Sequence, residues 1–196
     1  MSVPRERHDP TRSDPDVHAR HVARYVRAIA QAVEHYGAKG NWWDVACGLG
    51  YGTDMMPGDI VVGVDYDHQT ILAAQKAYPG PDFCCADITS PAWATCSPIA
   101  PDVIVSVETL EHLNVYGQSA FALTAATALS AGGVMVVACP IGSGRSKANP
   151  WHLYEPTEKE LRYLFGQHMD ILSFEREDYV STSGPAVQAF LVARKR

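Results

Sequence analysis

The sequence predicts a single α/β domain: a mostly parallel, seven-stranded sheet with helices on both faces and a helical cap at the N-terminus. Short apolar runs alternate with helix-like segments, as in a doubly wound sheet. The run Ile60–Asp65 is apolar almost throughout, which is typical of a strand covered on both faces. A glycine-rich turn directly follows the first apolar run. In such a sheet we expect the ligand beyond the strand carboxyl ends, at the topological switch point.

The N-terminal region divides into an arm and a cap. Residues 1–16 are charged and Pro-rich and lack the apolar segment of a secretory signal, so we expect a flexible arm. From residue 17, apolar side chains recur every three or four positions, which predicts an amphipathic cap helix over 17–37. Gly37 and Gly40 end it. The cap and everything after it, residues 17–196, form one domain.

The remaining elements follow in order. Seven strands are predicted, over 42–47, 60–65, 81–85, 102–107, 134–139, 171–175 and 186–193. Helices are predicted over 69–78 and 119–129, and from a capping box at Thr157 and Glu160 to near Gly166. A helix of about two turns is expected after the glycine turn, because Pro57 and Gly58 end it.

Composition sets limits on function. The 196 residues carry a net charge of −6, which argues against binding nucleic acid by bulk charge. The longest apolar stretch, near Val134–Cys139, is far too short to cross a bilayer. There is no CxxC motif among the five cysteines, and we expect them to be reduced, mostly buried thiols of a cytoplasmic protein. They are Cys47, Cys84, Cys85, Cys96 and Cys139.

The glycine-rich turn predicts a nucleoside-binding pocket. Gly48, Gly50 and Gly52 follow a strand, and glycine lets the backbone turn tightly and approach a ligand. Asp65 ends the next strand, where a carboxylate can accept both ribose hydroxyls. The third glycine comes one residue earlier than in a dinucleotide fingerprint. Asp44 would repel a pyrophosphate but attract an ammonium, which favours S-adenosylmethionine (SAM) over NAD.

Several segments together resemble class I SAM-dependent methyltransferases. WWDVACGLGYGT resembles their motif I, VVGVDYD their second-strand motif, and FCCADIT the adenine-reading motif. DVIVSVETLEHL and ALSAGGVMVVACP resemble the fourth and fifth strands, and NPWHLYEPTEKELRYLF the following loop and helix of the small-molecule branch. ERHDP and HVARY are similar to the N-terminal cap of bacterial and phage methyltransferase domains found beside glycosyltransferases. The resemblance covers nearly the whole chain and implies a Rossmann-like transferase with SAM as cofactor and S-adenosylhomocysteine (SAH) as product.

The resemblance also implies cofactor-binding residues. Asp44 would address the amino group of the cofactor, and Asp65 its ribose. The remaining implied contacts are the backbone at Ala46, Cys47, Gly48 and Gly50 for the methionine part, Tyr66, Asp87 and Ile88 for the adenine, and Val107 and Glu108 beneath the methionine.

Catalytic candidates follow the fourth and fifth strands. Methylation of a hydroxyl on a small molecule or sugar needs a base, since a protonated alcohol is a poor nucleophile. Glu111 and His112 follow strand four and His152 follows strand five, with His21 of the cap as a further candidate. In the loop that contains His152, Arg145 and Lys147 could recognise an anionic acceptor and Trp151 and Tyr154 could stack on a ring.

Three alternatives stay open. Glu108, Glu111, His112 and His152 resemble the metal set of small-RNA 2′-O-methyltransferases, but we expect no metal, because this string is common in metal-free relatives and the acidic chain has no evident RNA surface. An NAD-dependent oxidoreductase and a non-catalytic SAM-binding module are the other two. We expect a small-molecule acceptor, no nucleic-acid or membrane partner, and no assignable oligomeric state.

Overall fold

The computed structural model describes residues 14–142, 144, 149–181 and 184–196. Residues 1–13 of the predicted arm, 1–16, lie outside the described residues. The same holds for Arg145 and Lys147. The described part of the chain contains seven strands: β1 (Asn41–Val45), β2 (Ile60–Asp65), β3 (Asp82–Cys85), β4 (Val103–Val107), β5 (Val134–Ile141), β6 (Met169–Ser181) and β7 (Gly184–Lys195).

These strands form one sheet in the order β3-β2-β1-β4-β5-β7-β6. Strands β1 to β5 are parallel, whereas β7 runs antiparallel to both β5 and β6. The chain leaves β1 toward β3 and then crosses back to β4, so the switch point lies between β1 and β4. The predicted fold class, a Rossmann-like sheet that is mostly parallel, is confirmed.

In the described residues, five α-helices accompany the sheet: α1 (Pro15–His35), α2 (Tyr51–Asp54), α3 (His68–Ala77), α4 (Val115–Ala128) and α5 (Glu158–Gly166). Side-chain caps fix where four of them begin: Asp14, Asp67, Asn114 and Thr157 each accept from a backbone N–H of the first turn. The capping box at Thr157 and Glu160 is present as predicted. Within the described part of the chain, no helix is long and apolar enough to cross a membrane.

The core lies on both faces of the sheet. On one face, Trp43, Trp93, Phe121 and Phe165 are fully buried among the strands, α4 and α5. On the other, Tyr25, Ala28 and Ala32 of α1 pack against side chains that include Trp42, Val105 and Val136. Therefore α1 is more than a cap: it also covers one face of the sheet.

Some boundaries differ from those predicted. The helix after the glycine turn has one turn rather than two, and α4 begins four residues early because Asn114 caps it. The final hairpin is longer than predicted, and its ladder continues to the pair Ser181 and Gly184. The extension of β6 was not predicted because residues 175–178 are charged. Charged residues are nevertheless common on an edge strand, since they discourage pairing with other chains.

The prediction that all five cysteines are reduced is wrong. Cys84 of β3 and Cys96, just after a 3₁₀ helix at Pro91–Thr95, form a disulfide. The chain folds back after β3 and brings their Cα atoms to 5.8 Å, a proximity that a spacing of 12 residues does not reveal. Cys47 and Cys139 are buried free thiols and Cys85 is an exposed one. The expectation of a cytoplasmic location rested on reduced cysteines, so it is no longer supported by them.

Candidate active site

A cavity of about 620 Å³ opens at the carboxyl ends of the parallel strands, as expected for this sheet. The segments after β1, β2, β3 and β4 form its floor. The N-terminal half of α1 covers it from one side, and the turn end of the β6–β7 hairpin closes another. Its volume lies within the range of about 300–1,000 Å³ that holds small-molecule ligands.

The turn after β1 has an unusual backbone. Ala46 and Gly48 have φ of 70° and 54°, in the left-handed region that costs a non-glycine residue free energy. Both line the cavity together with Cys47. Gly50 also has positive φ, but it lies outside the lining: a Cβ there would come within 2.8 Å of the Phe83 ring. Gly50 thus serves close packing, while Ala46 to Gly48 present backbone to the cavity.

Asp65 ends β2 at the wall of the cavity and is almost fully buried. Its two carboxylate oxygens accept from the backbone N–H of Gly48 at 3.1 Å and of Asp67 at 3.0 Å. These bonds orient the carboxylate and tie it to the glycine turn. Tyr66, Asp87 and Ile88 line the cavity beside it, and Asp87 accepts from the N–H and hydroxyl of Thr89.

Asp44 lies behind the cavity rather than in its lining. It is fully buried and accepts hydrogen bonds from the Thr53 hydroxyl at 2.7 Å and the Tyr25 hydroxyl at 3.2 Å. Burial raises the pKa of Asp44 to about 7, although both hydrogen bonds act in the opposite direction. Tyr25, which does line the cavity, therefore carries a hydrogen-bond connection from it to Asp44.

Glu108 follows β4 with φ of 55°, a second left-handed non-glycine residue at the cavity. Its carboxylate accepts from Arg24 of α1 at 2.8 Å and from Gln188 of β7 at 2.7 Å. The Arg24 guanidinium also lies 4.8 Å from the centre of the Tyr179 ring. This cluster connects α1, β4 and the final hairpin across the cavity wall, and Val107 lines the floor next to it.

The loops after β4 and β5 meet at the other end of the cavity. The backbone carbonyl of Glu111 accepts from the N–H groups of Leu153 at 2.7 Å and Tyr154 at 3.2 Å. The Gln118 amide donates to carbonyls of both loops, including that of Tyr154 at 2.9 Å. Loop contact of this kind brings the three predicted catalytic side chains together.

Glu111, His112 and His152 line the cavity with their ligand atoms within 4.8 Å of one another. The side chain of Glu111 is fully buried, and neither of its carboxylate oxygens has a hydrogen-bond partner among the described residues. Burial, and secondarily the nearby charge of Glu108, raises the pKa of Glu111 well above its usual range. The two imidazole rings meet edge to face, with centroids 5.2 Å apart.

Hydrogen bonds orient both histidines. The Nδ1 of His112 donates to the Trp151 carbonyl at 3.1 Å, and the Nδ1 of His152 bonds to the Glu155 carboxylate at 2.6 Å. The Nε2 of His112 lies 3.8 Å from a carboxylate oxygen of Glu111. By contrast, Trp151 and Tyr154 do not line the cavity, and the Tyr154 hydroxyl donates to Glu160 instead.

Sequence reasoning named His21 of α1 but missed the other side chains that α1 and the hairpin supply to the site. His21 lines the cavity as predicted and lies 3.4 Å from the Tyr51 hydroxyl. Arg24, Tyr25, Tyr51, Glu155 and Tyr179 line it as well. For α1 a signal existed, because Val17, His21 and Arg24 recur at helical spacing on one face. No local pattern indicates Tyr179, which reaches the cavity only through the hairpin.

The chain is similar to known methyltransferases. Residues 43–137 match a methyltransferase domain family. A protein of Mycolicibacterium smegmatis described as a probable SAM-dependent methyltransferase is 30% identical over 179 residues, covering 87% of this chain. The chain spans 66% of the length of that relative.

Solved structures share the fold, and two of them are similar over most of the chain. The N-methyltransferase NodS of Bradyrhizobium japonicum, in complex with SAH, superposes with a TM-score of 0.72 at 14% identity, over 89% of this chain and 86% of that one. A 1,6-didemethyltoxoflavin N1-methyltransferase of Burkholderia thailandensis, with its substrate and SAH bound, gives 0.71 at 20% identity, over 92% and 81%.

Proposed function

We propose that the chain is a class I SAM-dependent methyltransferase that methylates an oxygen of a small molecule or sugar-type acceptor. The observation that carries this proposal is the two-ended cavity. Asp65 lies at one end, and Glu111, His112 and His152 lie at the other.

The cofactor end fits SAM. Asp65 presents an oriented carboxylate suited to the two ribose hydroxyls, and Tyr66, Asp87 and Ile88 would hold the adenine. The turn from Ala46 to Gly48 would lie along the methionine part, above Val107 and Glu108. When bound, SAM supplies an electrophilic methyl group on its sulfonium.

Asp44 would act on the cofactor's amino group only at a distance, through Tyr25 or a water molecule. Its carboxyl group is fully buried and accepts from the Tyr25 hydroxyl, which lines the cavity. Gly50 supports the same region by allowing the turn to pack against Phe83.

At the acceptor end we propose Glu111, His112 and His152 as the catalytic groups. A hydroxyl must lose its proton during transfer, and imidazole has a suitable unperturbed pKa. Oxygen as the acceptor is favoured by the segment Glu108-Thr-Leu-Glu111 after β4, which differs from the Asn-Pro-Pro-Tyr of amide- and base-methylating enzymes. Nitrogen is the second candidate, since both structural relatives named above act on nitrogen.

The test combines an acceptor screen with two variants. Sugars, sugar-nucleotides, phenols and small amines are screened by release of SAH. His112→Gln and His152→Gln should retain SAH binding, while at least one should lose about 10²–10⁴-fold in turnover, as removal of a general base does. His168→Gln, outside the cavity lining, is the matched control.

Three results would count against the proposal. Methylation of amines alone would replace oxygen by nitrogen. SAH binding without turnover on any acceptor would favour a non-catalytic module, and tighter binding of NADH than of SAH would favour an oxidoreductase.

A further inference from the structure

We propose that Glu111, His112 and His152 bind one divalent transition-metal cation, and that the acceptor oxygen coordinates it during transfer. This inference rests on the proposed function, because it names how the same three groups would activate the acceptor. It departs from the expectation of a metal-free site drawn from the sequence.

The first support is the state of Glu111. Its carboxylate is fully buried, and neither oxygen has a hydrogen-bond partner among the described residues, although it lines the cavity. Burial of an uncompensated carboxylate is strongly unfavourable, so such a group calls for a proton or a cation. Its acidic neighbours Glu108 and Glu155 raise the negative potential further, and Arg24 is already engaged with Glu108 at 2.8 Å.

The second support is the orientation of His112. A carbonyl oxygen only accepts hydrogen bonds, so the Nδ1 that contacts the Trp151 carbonyl carries the ring proton. In the neutral ring, Nε2 then presents a lone pair toward the Glu111 oxygen 3.8 Å away. Two electron-pair donors that face each other in a buried site are a natural pair of metal ligands.

The third support is His152 and its partner. Its Nδ1 is bonded to the Glu155 carboxylate at 2.6 Å. Metal-ligating histidines commonly bond through one ring nitrogen to a carboxylate or a backbone carbonyl, which fixes the tautomer and the ring direction. Here His112 bonds to a backbone carbonyl and His152 bonds to a carboxylate.

The spacing suits a metal after a small contraction. The three ligand atoms lie within 4.8 Å of one another. Metal–ligand distances of about 2.0–2.2 Å place the ligand atoms of one ion roughly 3–3.5 Å apart. The required movement is about 1 Å, and the bonds from Leu153 and Tyr154 to the Glu111 carbonyl already hold the two loops together.

The ligand set has three members, not four. Glu108 is committed to Arg24 and Gln188, so it differs from the other three groups. Two imidazoles and one carboxylate favour ions such as Zn²⁺, Mn²⁺, Fe²⁺ or Co²⁺ over Ca²⁺ and Mg²⁺. A three-residue set leaves positions for water or substrate, here on the side of the cavity.

The chemistry of this site is that of a Lewis acid. Coordination lowers the pKa of the acceptor hydroxyl, which releases its proton to water. A lone pair of that oxygen forms the new bond to the methyl carbon of SAM. The carbon–sulfur bond breaks with its electron pair passing to sulfur, giving SAH and the methylated acceptor.

The experiment measures metal binding directly on the full chain. Protein treated with a chelator and then desalted is titrated with Zn²⁺ by calorimetry, and with Co²⁺ by absorption spectroscopy. We expect one ion per chain and a Co²⁺ spectrum with ligand-field bands. Glu111→Gln, His112→Gln and His152→Gln should each weaken binding at least a hundredfold.

Two further variants sharpen the result. Glu155→Gln should weaken binding by about 10–100-fold, as loss of an outer hydrogen-bond partner does. Glu108→Gln should bind the ion as the unmodified chain does, which separates the three-ligand set from a four-ligand set. Circular dichroism shows whether each variant is folded.

Absence of one-to-one binding, or unchanged binding in Glu111→Gln, would overturn the inference. Retained SAH binding and turnover without a metal would overturn it too while leaving the proposed function intact. If the unmodified protein does not bind SAH, that result would instead contradict the proposed function.

Discussion

Asp65 combines a position at the wall of the cavity with a structural role, because its carboxylate accepts from the N–H groups of Gly48 and Asp67. We predict that Asp65→Asn lowers SAH affinity at least tenfold in calorimetry. Hydrogen bonds to a charged group contribute about 1.5–3 kcal/mol, and tenfold in affinity is about 1.4 kcal/mol. Asp54→Asn, at an exposed carboxylate outside the cavity, is the control. Equal affinities in both variants would remove Asp65 from the cofactor site.

Asp44 should make stability depend on pH. Its folded pKa of about 7 lies above the ordinary 3.8, because the group is fully buried and Asp65 lies nearby, while the hydrogen bonds from Thr53 and Tyr25 offset only part of the rise. The folded state therefore holds the proton more tightly than the unfolded state. The stabilisation from this group is complete below about pH 4 and is lost as pH rises through 7.

Denaturant unfolding from pH 4 to 8 measures this effect. At 1.36 kcal/mol per pH unit, roughly three units correspond to about 4 kcal/mol of unfolding free energy. Asp44→Asn cannot ionise, so the difference between the two proteins isolates Asp44 from other titrating groups. We expect the unmodified protein to lose stability relative to Asp44→Asn across this range, and parallel curves would refute the assignment.

The helix α1 has two functions along its length: its first half lines the cavity and its second half packs on the sheet. We predict that Ala28→Leu lowers the free energy of unfolding by about 1–3 kcal/mol, because Ala28 is fully buried and a larger side chain overpacks the interface. Ala30→Leu introduces the same change at an exposed position two residues away. Equal stability of both variants would mean that α1 does not pack on the sheet.

The Cys84–Cys96 disulfide joins β3 to the 3₁₀ helix that follows it, and the segment between them contains Asp87 and Ile88. Under denaturing, non-reducing conditions we expect three reactive thiols, those of Cys47, Cys85 and Cys139, and five after reduction. The double change Cys84→Ser and Cys96→Ser should lower the unfolding free energy by about 2–4 kcal/mol, because the unfolded chain gains freedom. Cys85→Ser is the control, and five thiols before reduction would disprove the bond.

The cavity draws on both halves of the chain, since α1, the glycine turn, the loops after β4 and β5 and the final hairpin all contribute to it. A ligand held there should stabilise the whole fold. At a SAH concentration about 100 times its Kd, the gain is about 2.7 kcal/mol, which corresponds to a rise in Tm of roughly 5–10 °C for a chain of this size. NADH at the same concentration should leave Tm unchanged. A shift with NADH and none with SAH would reverse the cofactor assignment.

The sequence alone determined the features that depend on neighbouring residues. The unbroken apolar run of β2, the glycines after β1 and Asp65 at the end of β2 follow from local periodicity and turn chemistry. The capping box of α5 is equally local. These features predicted the edge of the sheet where the cavity lies and a cofactor that contains a nucleoside.

Only the tertiary structure decided which distant groups face one another. Asp44 bonds to Tyr25 and Thr53 behind the cavity, and Glu108 bonds to Arg24 and Gln188 instead of joining Glu111. The Cys84–Cys96 disulfide and the burial of Glu111 also depend on the tertiary structure. The physical reason is that periodicity encodes which face of an element is apolar, whereas partners far apart in the chain depend on strand order, register and the path of the loops.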